Sequence, residues 1–190
     1  MTIPYRPSAP GVVKSVRQRW LLDYWNRLSR DGAPPDWADL DRAELETCMA
    51  DITILDVAAD GAGPRFRIFA HGKNVGRLYG TDCEGKFLDE VLPDAVREGI
   101  LETYAQAASA RRPVYTVSEV QDSELRPVYY ERLLLPFAGA GGPVNRIIGF
   151  LEMVSPEGAF DRNRLLSDPV AASGYRIKAV LTVYAAAMPG

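Results

Sequence analysis

Three runs decide the fold: Pro113-Val-Tyr-Thr-Val-Ser-Glu-Val120, Pro127-Val-Tyr-Tyr-Glu-Arg-Leu-Leu-Leu-Pro-Phe137 and Val144-Asn-Arg-Ile-Ile-Gly-Phe-Leu-Glu-Met-Val154. Each is rich in β-branched and aromatic residues, which suit a pleated, half-buried surface. Asp122 and Ser123 lie in the first gap, and Ala138-Gly-Ala-Gly-Gly-Pro143 fills the second. Both are turn chemistry, and gaps so short exclude parallel crossovers, so the runs are read as consecutive antiparallel strands. Leu133, Leu134 and Leu135 are adjacent, and alternation along a strand sends their side chains to both faces. Ile147, Ile148, Phe150 and Leu151 repeat the pattern on the third strand. A sheet that is apolar on both sides needs two covers.

Alternation groups Tyr129, Glu131, Leu133 and Leu135 on one face of the middle strand, and Val128, Tyr130, Arg132 and Leu134 on the other. It leaves open which face points inward.

One cover is the helix expected from Val16 to Arg30. There Val16, Trp20, Leu21, Tyr24, Trp25 and Leu28 recur at spacings of three and four, with Arg17, Arg19, Asp23, Asn26 and Arg27 between them. Asp31-Gly-Ala-Pro-Pro35 stops it. Asp41-Arg-Ala-Glu44 reads as a capping box opening a short helix through Met49. Ile52-Thr-Ile-Leu-Asp-Val57 and Arg65-Phe-Arg-Ile-Phe69 read as a hairpin around Asp60-Gly-Ala-Gly-Pro64. Short helices are expected over 71–80 and 87–92, and a longer one from Ala95 to Arg111, capped by Asp94 and stopped by Pro113. The tail is ambiguous: Ile177, Val180, Leu181 and Tyr184 have helical spacing, yet Val180, Thr182 and Val183 favour a strand.

The fold class that follows is α+β: a five-stranded antiparallel sheet, short helices on one face, and the N-terminal amphipathic helix available for the other. Four segments result: a flexible arm (1–12), a helical extension (13–50), the sheet-bearing domain (51–155) and a C-terminal tail (156–190). With 190 residues and a net charge of -3, one domain with extensions is expected, without overall attraction to nucleic acid. Cys48, Cys83 and the lone His71 have no metal-ligand spacing, so no metal is expected and the thiols read as reduced. No apolar run approaches the ~18 residues of a membrane span, and residues 1–10 lack a signal core, so a cytoplasmic protein is expected.

In element order the chain resembles a PAS domain over roughly 52–154. More narrowly, it resembles an alphaproteobacterial PAS-like family with a leading amphipathic helix. The resemblance rests on Leu21-Leu-Asp-Tyr-Trp-Asn-Arg-Leu28, Phe66-Arg-Ile-Phe-Ala-His-Gly72, Leu78-Tyr-Gly-Thr-Asp-Cys-Glu-Gly85, and Glu131-Arg-Leu-Leu-Leu-Pro-Phe137 ahead of Ile147-Ile-Gly-Phe150. It implies a sensory or regulatory module that binds a small ligand between sheet and helices, or contacts a partner signalling protein. It supplies no ligand or cofactor identity.

The expected pocket lining is Val75, Leu78, Tyr79, Phe87, Ile100, Tyr104 and Ala108, with Leu133 and Leu135 from the middle strand. Homodimer anchors are expected at Trp20, Leu21, Tyr24, Trp25 and Leu28, because large aromatic stripes are unusual on monomer surfaces.

Two alternatives stand behind this reading. Flavin photoreceptors of the PAS kind carry Gly-x-Asn-Cys-Arg-Phe-Leu-Gln. Here Gly80-Thr-Asp-Cys-Glu-Gly-Lys-Phe-Leu-Asp89 puts Asp82 for Asn, displaces Phe87 by two positions and puts Asp89 for Gln. Cys83 therefore reads as a space-filling thiol, and His71, at a strand end, as a hydrogen-bonded residue and not a haem ligand. A cone-shaped pocket enzyme of the nuclear-transport-factor-like kind would need carboxylates, and Glu131 and Glu152 are its candidates. The usual catalytic constellations are missing, with one histidine and neither Gly-x-Ser-x-Gly nor a phosphate loop. No enzyme activity is expected.

Overall fold

The structure, a computed structural model, describes residues 3–59, 61, 63–139, 141–158, 160 and 172–182. Its seven strands are β1 (Arg6–Ser8), β2 (Ile52–Ala59), β3 (Pro64–His71), β4 (Val114–Gln121), β5 (Pro127–Ala138), β6 (Val144–Val154) and β7 (Ala172–Leu181). The helices are α1 (Val16–Leu28), α2 (Lys73–Tyr79), α3 (Leu88–Val91) and α4 (Asp94–Ala110). All strands join one sheet in the order β1-β7-β4-β5-β6-β2-β3. The expected hairpins β2–β3, β4–β5 and β5–β6 are all antiparallel. Asp60, Ala62 and Ala140, in two of the expected turns, lie outside the described residues.

The expected strand count of five is corrected to seven among the described residues. The tail residues from Ala172 to Leu181 settle as strand β7 against the free edge of β4, and Arg6–Ser8, in the arm expected to be flexible, pair with β7 in parallel. The strand preference of Val180 thus prevails over the helical spacing of the tail, while the pairing partner of each segment was not readable locally. β1 has three residues, one of them Pro7, which a sheet tolerates at its edge because that strand needs few ladder donors. Val183 and Tyr184 lie outside the described residues.

Leu133, Leu134 and Leu135 are each fully buried. Leu134 joins an inner cluster with α2, α3 and α4, and Leu133 and Leu135 join an outer one with α1. The sheet thus has two covers, and α1 is one of them. Ser15 caps its N-terminus by accepting from the Gln18 amide. Leu21, Leu22 and Trp25 are at most 1% exposed, each contributing about 1.5–3 kcal/mol by leaving water. Three polar tethers fix its register. Trp25 Nε1 donates to Pro136 O at 2.8 Å, Gln18 Nε2 donates to Glu131 O and Phe150 O at 3.2 and 3.1 Å, and Tyr24 Oη accepts from the Asp41 amide at 2.8 Å.

This corrects the expected dimer anchors. Leu21, Tyr24 and Trp25 are spent on the chain's own sheet, and Leu28 packs half-buried beside them. Trp20 remains 37% exposed, next to Val16 at 71%. Helical spacing shows that a stripe is apolar but not what covers it. Two smaller corrections concern caps. Residues 42–45 form a 3-10 turn and not an α-helix, with Asp41 capping Ala43. The N-cap of α4 is Pro93, which places Asp94 at the first helical position.

Candidate functional site

α4 crosses the inner face, and its middle is packed tight. Tyr104 reaches the sheet at Gly149, where a Cβ would stand 2.8 Å from the tyrosine hydroxyl. Its ring lies 5.4 Å from that of Phe66. Toward α2 and α3 the interior is equally filled, by Val75, Leu78, Tyr79, Cys83 and Leu88. Gly72 permits the approach of α2 to the chain at Met49, since a Cβ there would meet Met49 O at 1.9 Å.

The space left over lies at the other end of α4, a cavity of about 160 Å³. α4 gives it Val96, Gly99 and Ile100, and β4 gives Ser118 and Val120. From β5 come Tyr130 and Arg132, and β7 closes it with Gly174 and Tyr175. That wall is held by hydroxyls. Tyr175 Oη donates to Gly99 O at 2.7 Å and lies 3.1 Å from Thr103 Oγ1, to which Tyr5 Oη donates at 3.1 Å. Burial pushes the Tyr5 phenol far up, against the pull of its Thr103 bond, so the network stays neutral.

Arg132 is the site's electrostatic feature. It is 2% exposed, and among the described residues its Nε has no hydrogen-bond partner and its guanidinium no carboxylate. The rings of Tyr104 and Tyr130 stand 5.9 and 5.1 Å from it. Such faces return about 0.5–2 kcal/mol each, whereas burying an ion costs several kcal/mol, so the tyrosines only partly offset the burial. Burial is the largest single influence on the guanidinium and works against its charge, Tyr130, Tyr104, Tyr175 and Tyr79 work for it, and as an arginine it keeps its proton. Tyr130 Oη and Thr116 Oγ1 are also buried without a hydrogen bond of good geometry among the described residues, although burial pushes the Tyr130 phenol up and Arg132 is close enough to oppose that rise. Strand register brings the three together, because Thr116 pairs with Arg132 and Ser118 with Tyr130 across β4 and β5. Lys178, next along the same row, is different: its Nζ meets Glu102 Oε2 at 2.7 Å.

A family model described as a PAS domain matches residues 13–152. The chain belongs to the PAS domain family. Among solved structures it is similar to a light-oxygen-voltage domain carrying a flavin analogue, at 15% identity and a TM-score of 0.44, over 60% of this chain and 84% of that one. It is also similar to a PAS domain from Colwellia psychrerythraea, at 16% identity and a TM-score of 0.41, over 60% and 98%. The Aureochrome1 light-oxygen-voltage domain gives 14% identity and a TM-score of 0.41, over 63% and 91%. No curated protein matches the sequence.

Of the residues expected to line the PAS pocket, the structure puts Ile100 in the cavity. Val75, Leu78, Tyr79 and Tyr104 are on the expected face but fill the core beside it. Ala108 packs half-buried on the same core, and Phe87 lies under the Arg65 guanidinium, 3.8 Å from its ring centroid. Leu133 and Leu135 are corrected: they face α1, on the opposite side of the sheet. Arg132 is inward instead, and its signal was present as a charged residue among apolar neighbours on the alternate face of β5. Tyr175 gave no such signal, since its part depends on a strand pairing far along the chain.

Cys83 is fully buried in the PAS core, where burial pushes its thiol up and keeps it neutral. His71 lies 3.0 Å from Asp82 Oδ1 through Nε2 and 3.1 Å from Gly72 O through Nδ1, and it does not line the cavity. Glu131 and Glu152 are cross-strand partners on the α1 side, with Arg17 reaching Glu152 at 3.3 Å. Neither lines the cavity. Among the described residues no helix is long and apolar enough to cross a membrane.

Proposed function

We propose that this PAS domain is a cytoplasmic sensory or regulatory module that binds a small molecule in the α4–β7 cavity and signals by contact with another protein, without catalysis of its own. The observation that carries the reading is the cavity itself, with a buried arginine and two buried hydroxyls turned to it or beside it and left without partners among the described residues. Polar groups in a protein interior are normally satisfied, and exceptions mark places where something else supplies the bond. The cavity also touches β7, α4 and the central strands at once, so an occupant bears on the sheet edge as well as the helix.

Native mass spectrometry of the purified chain, followed by a thermal-shift screen with small metabolites, tests this. A mass excess released on denaturation, or a rise in Tm with a class of compounds, is the expected result. A mass equal to that of the polypeptide together with an unresponsive Tm would overturn the ligand-sensing reading. Self-association is proposed through the exposed part of α1, where Val16 and Trp20 flank a groove with Ala43, Thr47 and Cys48. Trp20→Glu is expected to shift sedimentation toward the monomer, and an unchanged profile would remove the dimer.

A further inference from the structure

The geometry points to a small monocarboxylate as the ligand class: a carboxylate on Arg132 and Tyr130, and an apolar body of a few carbons against Val96, Ile100 and Val120. This rests on the ligand-sensing reading above and specifies its chemistry.

Three features of the cavity fix the class. The first is polarity. Arg132 Nε, Tyr130 Oη and Thr116 Oγ1 lack partners among the described residues, and all three are able to donate. A guanidinium has no acceptor capacity at all, so the missing group must be an acceptor, and a carboxylate presents two oxygens to the planar fork.

Charge is the second feature. Three acids on the elements around the cavity are engaged elsewhere, Glu102 with Lys178, Glu119 with Arg176 and Asp94 with Arg97, and Glu98, beside Gly99, is exposed to solvent. Arg132 is left as a buried positive charge, and an incoming anion finds its counter-charge in place. A neutral ligand of equal shape leaves that charge as it was. A doubly charged anion would exceed the single charge of Arg132, the only cation among the described residues that line the cavity.

Size is the third. A cavity of about 160 Å³ is close to one of about 150 Å³ that holds a benzene ring. Val96, Ile100 and Val120 form its apolar side, so the anion carries a hydrocarbon body and is not phosphate or sulfate alone. Ala95, at the start of α4, and Gly174, on β7, are its exposed lining residues.

Benzoate and butyrate are suitable probes, with benzamide as the neutral partner of benzoate. Calorimetric titration of the full chain is expected to show benzoate binding about tenfold to a hundredfold more tightly than benzamide, the effect of one hydrogen-bonded charge. Arg132→Met removes the charge and keeps most of the volume. It is expected to bring benzoate down to the level of benzamide, while raising the Tm of the unliganded protein, because an unpaired buried charge has been taken away. A purely structural arginine, held by its tyrosine cage, predicts a lower Tm instead. If Arg132→Met does not fold, the benzoate-to-benzamide ratio of the unsubstituted chain still decides. Equal binding of the two, or unchanged benzoate affinity in Arg132→Met, overturns the carboxylate assignment and leaves ligand sensing standing. No binding of acids, amides or other small metabolites overturns both.

Discussion

Glu131 and Arg132 are consecutive in the chain, and β5 sends one under α1 and the other under α4. Beneath α1, Glu131 lies across from Glu152, and its Oε2 is buried without a partner among the described residues. Burial is the main cause that pushes its carboxyl above the ordinary value of 4.5; Glu152 adds to the rise and Tyr115 opposes it. The sign follows from linkage. The unfolded chain ionises first, so stability falls as pH rises from the ordinary glutamate value to the raised one and is level above it. Glu131→Gln removes that loss. Its Tm is expected to exceed that of the unsubstituted protein at about pH 7 and to match it below ~pH 4, where both states are protonated. Thermal unfolding across that range checks it, and an offset independent of pH would show that the carboxylate is not responsible. Arg132 follows a different logic, since arginine does not lose its proton and its charge persists across the whole of that pH range.

At the scale of elements, α1 is the part whose role changed most between sequence and structure. Its periodicity was legible, and so was the need for a second roof over the leucines of β5. From sequence alone the aromatic stripe points to a partner molecule, whereas in the folded chain most of it is covered by the sheet, because exposure in an isolated helix and exposure in the folded chain are different quantities. Trp25 is fully buried and tethered to Pro136. Trp25→Ala is expected to cost about 3–5 kcal/mol, seen as a fall in the urea midpoint. Trp25→Phe keeps most of the apolar body and is expected to cost only about 1–3 kcal/mol, for the carbonyl left unmet. Equal losses in the two variants would mean that the tether, and not the packing, fixes α1 in place.

For the whole molecule, the sheet is a partition with a core on each side, and each core needs its own cover. Removing residues 1–50 bares Leu133, Leu135, Ile148 and Phe150 together with Tyr115 and Phe137. The shortened chain is expected to bind a hydrophobic dye and elute as large oligomers in gel filtration. A monodisperse, dye-silent product would show that the outer face does not depend on α1. The same deletion removes β1 from β7 and Tyr5 from Thr103, so the cavity wall loses a support far from α1.

By itself the sequence determined the two-faced sheet, its three consecutive antiparallel strands and the helices around them, because side-chain periodicity and turn chemistry depend on residues only two to four positions apart. Tertiary structure alone decided which face of β5 looks inward, that the tail adds β7 to the free edge of β4, and that Arg132 meets the rings of Tyr104 and Tyr130. Those outcomes rest on pairs such as Tyr5 with Thr103 and Thr103 with Tyr175, 98 and 72 residues apart. No local pattern encodes them, since the chain must close on itself before either partner has a neighbour.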